Sequence, residues 1–319
     1  MLAKKRLKQA ETVGFADLID MNNPQQVREE VHYLLTLMFP HFDFAALDQM
    51  FADVLLLFQG RYPGYRACNT RYHDLKHTTD CFLALARLIH GASVDGLKLG
   101  PHPVFLGLAS SLLHDTGYIQ TSDDLTGTGG KYTLNHVERS IAFMEQYLLE
   151  HGYSNTDREF CRLCLKCTDL NVHLATEVHF LNKDNEILGK MLGTADLLGQ
   201  MADRTYLEKL PSLYREFAEA GVPGFGSELE LMEKTPAFWE FTQKRLATEL
   251  DNMDRFMRPH FRVRWGIDRD LNREMIEANI AYLKKILKTY GPDYHPYLRR
   301  RRLARILPRR SHLRKTLHF

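Results

Sequence analysis

Several common classes of protein are excluded by what this chain of 319 residues lacks. Its longest run of aliphatic and aromatic residues, Val54 to Phe58, is far short of the roughly 20 apolar residues a membrane-spanning helix needs. The charged start (Lys4, Lys5, Arg6, Lys8) leads into Gln9, Glu11 and Asp17, not into an apolar stretch with a cleavage site, so no secretion signal is expected. Cysteines number five, an odd count, and Cys161, Cys164 and Cys167 crowd into seven residues, which suits reduced thiols and a cytoplasmic location better than a disulfide framework. Glycine (20) and proline (12) are too sparse for a fibrous or low-complexity chain, and no segment repeats at a fixed period. Strict alternation of apolar and polar residues is also missing, which argues against a sheet.

What is present is helical periodicity, and the expected fold class is all-α. Leu75, Cys81, Phe82, Leu85, Leu88 and Ile89 share one face of a helix over about 74–90, with Gly91 as its stop. A second helix spans about 102–115. Asn135 with Glu138 three residues on reads as a capping box opening a third, which ends at Gly152. Helices are expected over 155–168, 184–203 and 205–220, from Thr235-Pro236 toward Pro259, and over 269–290 before Gly291-Pro292. The economical division is an N-terminal segment 1–22, one helical bundle 23–292 with additional C-terminal helices, and a tail 293–319.

Net charge is only +2, but residues 293–319 hold nine Lys or Arg against Asp293 alone, leaving 33 basic and 39 acidic residues in the body. The tail reads as a contact for anions such as nucleic acid or lipid, or as a short amphipathic segment docked on the acidic body or on a second subunit of a homo-oligomer. The docked contact is favoured.

Chemistry concentrates at three places. Tyr72-His73-Asp74-Leu75-Lys76-His77 opens one helix, His114-Asp115 closes the next, and Thr194-Ala195-Asp196 lies within a later one. His73 and His77 are four apart and are expected in one helical stripe. A carboxylate at the end of an apolar helix is costly to bury without a compensating positive charge, and a divalent cation provides one. Two imidazoles and two carboxylates make a mixed set suited to Zn, Mn, Fe or Co, with Mg at an oxygen-rich neighbour.

The order His … His-Asp … Asp resembles the HD superfamily of metal-dependent phosphohydrolases, and Tyr-His-Asp-x-x-His is similar to the Tyr-His-Asn-x-x-His element of class I cyclic-nucleotide phosphodiesterases. The likeness covers about residues 62–205. It implies an HD-domain-like bundle in which His77, His114, Asp115 and Asp196 bind a first metal, Asp115 bridges toward a second, and His73 is the general acid. The expected substrate is a small phosphoester or nucleotide. Where those phosphodiesterases carry a further histidine, this chain has Tyr118. Other HD families supply a ligand from the start of the following helix, and His136 occupies that place. It equally fits a core histidine beside Phe143 and Tyr147. Elements typical of cyclic-di-nucleotide phosphodiesterases and alarmone hydrolases are absent, which argues against those substrates.

Blander roles are assigned elsewhere. Gln200 and Asp203 share a stripe with Asp196 and read as a solvated face, with Gln200 a weak candidate for substrate binding. Cys161, Cys164 and Cys167 fan out by about 120° on a helix and lack a fourth ligand, so they read as packing thiols, not a cluster. Phe238, Trp239 and Phe241 suit either a core stripe or base stacking. The rival readings are an HD-fold di-iron oxygenase using the same ligands, and a non-catalytic helical binding module.

Overall fold

A computed structural model describes residues 18–299, and the N-terminal 17 residues and most of the basic tail lie outside that range. The described chain is all-α, with no strand and only two isolated backbone bridges, Gln59 with Ala67 and Tyr65 with Thr121. Twelve helices follow one another: α1 (Pro24–Met38), α2 (Ala45–Phe58), α3 (Leu75–Val94), α4 (Pro101–Leu113), α5 (His136–Glu150), α6 (Asn155–Lys166), α7 (Leu174–Glu177), α8 (Lys183–Ala202), α9 (Tyr206–Ala220), α10 (Glu228–Thr248), α11 (Met257–Trp265) and α12 (Leu271–Tyr290). No described helix is long and apolar enough to cross a membrane.

The helix ends obey their local chemistry. Asn23 accepts a hydrogen bond from the Gln25 N–H ahead of Pro24, Ser154 and Asp157 form a reciprocal capping box, and Asp270 accepts from Arg273 N–H. Asn135 departs from expectation. It precedes α5 but makes no side-chain cap, and the His136 ring instead donates to the Thr133 carbonyl. The helix expected to start at Thr235 starts eight residues earlier, because Ser227 caps the Glu230 N–H and Pro236 is carried inside α10. Thr235 Oγ1 donates back to the Leu231 carbonyl, so it does not act as a cap. That helix also stops at Thr248, well before Pro259. Asp251 and Asn252 adopt positive φ, 49° and 52°, and turn the chain into α11.

The expectation for α3 also needs correction, since it is the central helix and not an amphipathic one. All sixteen residues from His77 to Ala92 are buried, against α8 above all and also α1, α4 and α11. Close approach is what Gly91 provides. A Cβ there would lie 1.8 Å from the Phe256 carbonyl oxygen, so Gly91 sits inside the helix as a contact point and does not stop it. Nearer the start of α3, Gly199 of α8 lies against the Asp80–Cys81 backbone, where a Cβ would be 3.2 Å from the nearest atoms. The boundary at 292 moves as well, because Tyr294 and Leu298 are buried in the common core and the Tyr294 hydroxyl donates to Glu228.

Replacing Gly91 with alanine is expected to cost about 1–3 kcal/mol, the range for overpacking a rigid contact. A denaturant midpoint equal to that of the unaltered chain would show that α11 yields without strain.

Candidate metal centre

Three helices deliver four side chains to one point. His77 lies in the first turn of α3, where Asp74 caps its N–H at 2.9 Å. His114 and Asp115 follow the last residue of α4, and Asp196 comes from the middle of α8. His77, His114 and Asp115 are at most 3% exposed. His77 Nε2 lies 3.0 Å from Asp115 Oδ2 and 3.1 Å from Asp196 Oδ1. His114 Nε2 lies 3.3 Å from His77 Nε2, 3.4 Å from Asp115 Oδ2 and 3.6 Å from Asp196 Oδ1.

These separations suit a shared cation. Donors bound at about 2.1 Å stand about 3.0 Å apart at right angles and about 3.4 Å apart in a tetrahedron. Neither pairing is a good hydrogen-bond network in its own right. The two Nε2 atoms face each other, and Asp115 Oδ2, fully buried, has no contact with hydrogen-bond geometry. His114 donates its Nδ1–H to the Ser111 carbonyl at 2.8 Å, which frees Nε2 as a ligand. The residues present therefore fit a metal ion, and His77, His114 and Asp115 all place ligand atoms within 4.8 Å of one another. Cys81, one turn beyond His77, forms a similar group with His114 and Asp196, a neighbour that the motifs do not reveal.

Electrostatics state the same need. Burial opposes charge on the His77 ring, but the carboxylates of Asp115 and Asp196 prevail and raise it to about 10. Burial likewise opposes a charged His114, which Asp115 and Asp196 nonetheless raise. Against the cost of burial, the two histidines hold both carboxyls below their usual range. Protons on imidazole thus stand in for the cation.

His73 is not in the stripe of His77. Asp74 is the helix cap, so His73 precedes the helix and its ring is free to turn toward α9. There its Nδ1 lies 2.7 Å from Glu216 Oε2, while Glu216 Oε1 accepts the Arg71 and Tyr72 N–H groups at 2.9 and 2.8 Å. Glu216 is 4% exposed and was not singled out by the sequence, where its one signal is a position beside the stripe Leu210, Leu213 and Phe217. The rings of Tyr118, His73 and His136 form a cluster, with Tyr118 4.2 Å from His73 and 4.6 Å from His136 and the two histidines 6.1 Å apart between centroids. His136 Nε2 is 3.9 Å from Asp115 Oδ1, on the side of that carboxylate away from His77.

Gln200 accepts from the Tyr72 hydroxyl at 2.7 Å and places its amide 3.4 Å from Asp196 Oδ1, so it braces a ligand. Asp203 is buried and not solvated, because Lys76 (3.2 Å) and Lys209 (3.9 Å) compensate it. Cys161, Cys164 and Cys167 are unpaired core thiols, and burial pushes Cys161 and Cys167 up to about 12. Trp239 is buried and Phe241 is exposed, so the three aromatics form no single stripe.

A raised His77 contributes stability that is complete below its unfolded value of about 6.5 and is lost as pH climbs toward 10. The thermal midpoint of metal-free protein is therefore expected to fall between pH 7 and 10, and Zn²⁺ binding at pH 7 should release at least one proton. Calorimetry in buffers of different ionisation enthalpy measures the release. Uptake of no proton and release of none would mean that the histidines do not face the ion.

Residues 124–254 match the model of a family described as Npun_R2479-like, a span that includes His136, Asp196 and Glu216. No curated protein sequence and no solved structure matches the chain.

Proposed function

We propose that this protein is a metal-dependent phosphohydrolase of the HD type, acting in the cytoplasm as a phosphodiesterase on a small nucleotide-like substrate. The observation that carries the reading is that His77 Nε2 and His114 Nε2, 3.3 Å apart, each lie 3.0–3.6 Å from Asp115 Oδ2 and Asp196 Oδ1, with a further histidine held beside them by its own carboxylate. His77, His114, Asp115 and Asp196 would hold the ion, whether Zn, Mn, Fe, Co or Mg. When bound, it supplies a water activated near neutral pH and positive charge for the phosphoryl oxygens.

The chain's own residues do the rest. Glu216 fixes the His73 ring through Nδ1, and Nε2, 3.5 Å from the Tyr118 hydroxyl, is the atom that would hand a proton to the departing oxygen. Its ring centroid is 5.7 Å from that of His77, so the donor stands next to the ligands without being one of them. Tyr118 stacks on the face of the ring and restricts its rotation. Asp115 turns Oδ1 toward His136, whose Nδ1 is committed to the Thr133 carbonyl, and this pair would hold a second ion. The same pair supports the second reading, two irons and an oxygen-dependent cleavage, which aerobic iron loading with a mixed-valence spectrum would favour.

Elemental analysis of the purified protein, followed by a phosphoester panel that includes cyclic mononucleotides, tests the proposal directly. Asp115→Ala and His77→Ala are expected to lose metal and all hydrolysis together. His73→Ala should keep its metal and lose about 10²–10⁴ in rate on alkoxide leaving groups, with a much smaller loss on a nitrophenolate, which needs no proton. Equal losses on both substrates would remove His73 from the role of acid. Glu216→Gln should follow His73→Ala in direction with a smaller loss, and an unchanged rate would mean that the ring needs no support.

A further inference from the structure

His77 has two ring nitrogens, and only one is accounted for. If Nε2 serves a cation, the ring proton sits on Nδ1 and needs an acceptor, which for metal-bound histidines is ordinarily a carboxylate, a carbonyl or a water. Nδ1 is buried, and no protein acceptor reaches it. One turn along α3, Asp80 presents the converse case. Its Oδ2 is held by Lys76, whereas Oδ1 is buried without a donor. Leaving either atom unpaired would cost about 1–3 kcal/mol.

Both residues line the same small cavity between α3, α8 and α9, which is completed by Tyr72, Gln200, Asp203, Tyr206 and Lys209. About 10 Å³ of it is open to the centre of a water molecule, close to what a single water occupies. The walls are polar, and one wall group lacks an acceptor where another lacks a donor. A single water seated there would accept from His77 Nδ1–H and donate to Asp80 Oδ1.

We propose that Asp80 is a positioning residue for the metal centre, orienting the ligand His77 through one buried water. The inference rests on the reading of His77 as a metal ligand. Lys76 makes the arrangement directional. By occupying Oδ2 it presents Oδ1 to the cavity, and because Lys76 also reaches Asp203 at 3.2 Å it keeps a partner when Asp80 is altered. Asp80→Asn is then a readable change. With its carbonyl kept toward Lys76, the asparagine turns an N–H toward the cavity, and the water meets two donors in place of a donor and an acceptor.

The test is Zn²⁺ affinity by competition with a chelator, joined to nitrogen NMR of histidine-labelled, Zn-loaded protein. Asp80→Asn is expected to weaken Zn²⁺ binding 10–100-fold. It should also shift the His77 Nδ1–H resonance while leaving the His114 ring unmoved, which a general loss of packing would not do. Affinity within twofold of the unaltered chain together with an unmoved His77 signal would overturn the proposal. Should the variant fail to fold, the unaltered protein still decides, since a cross-peak from water to His77 Nδ1–H is required and its absence is fatal. If His77→Ala binds Zn²⁺ as tightly as the unaltered chain, the assignment of the metal centre itself fails. If His77→Ala loses the ion and Asp80→Asn does not, only the water link is wrong.

Discussion

Asp115 and Asp196 reach the same two imidazoles, His77 and His114, the first from the end of α4 and the second from the middle of α8, and their charge has to be answered there. A carboxylate moved from water into such surroundings costs several kcal/mol unless it is paired. Two neutral imidazoles carry no charge to offset two negative ones. A divalent cation balances the pair at once. Two imidazolium protons balance it as well, which is why the same geometry raises His77 and His114 and lowers both aspartates when only protons are considered. A metal ion held there would compete with protons for one electrostatic position.

Holding that conflict in place is the task of α3. A helix buried on every side cannot rotate to relieve a bad contact, and α3 is gripped by α8 at Gly199 and by the turn before α11 at Gly91. Both grips depend on the missing side chain. Arg87, Asp80 and His90 are carried into the interior by the same helix, so its burial is not purely apolar. Burial pushes Asp80 up to about 7, although Lys76 pulls it down. Asp80 is held by Lys76 of the same helix, whereas His90 meets His260 of α11 at 3.3 Å, a contact that a slip of α3 along its axis would break.

Much of the candidate site was legible because histidines and aspartates on otherwise apolar helices are costly to bury without a partner. The spacing His-x-x-x-His, the His-Asp pair 37 residues beyond His77, and Asp196 all mark side chains that lie beside His77 in the fold. Less legible was the state of each residue. Periodicity counts His73 and His77 as one stripe, but an aspartate between them prefers to cap, and Asp74 ends the helix short of His73. Pro236 fits the first turn of a helix as well as Thr235 fits a cap, and the stronger signal, Ser227 with Glu230, was upstream. Asp203 looks like a solvated edge in sequence because its compensating lysines come from α3 and α9, 127 residues earlier and six later.

Glu216 illustrates what no local pattern can carry. The segment before α3 has left its turn but has not yet entered a helix, so the N–H groups of Arg71 and Tyr72 have no regular backbone partner. A carboxylate arriving from α9, some 140 residues later, accepts both and also takes the His73 ring. One buried acid thereby satisfies three donors, and removing it would leave them unpaired in a dry interior. Support for the ring and support for the loop that carries it are consequently the same contact. The helices after α8 are therefore structural members of the site, and a chain ending at Ala202 would keep the four ligand residues yet lose what orients the histidine beside them.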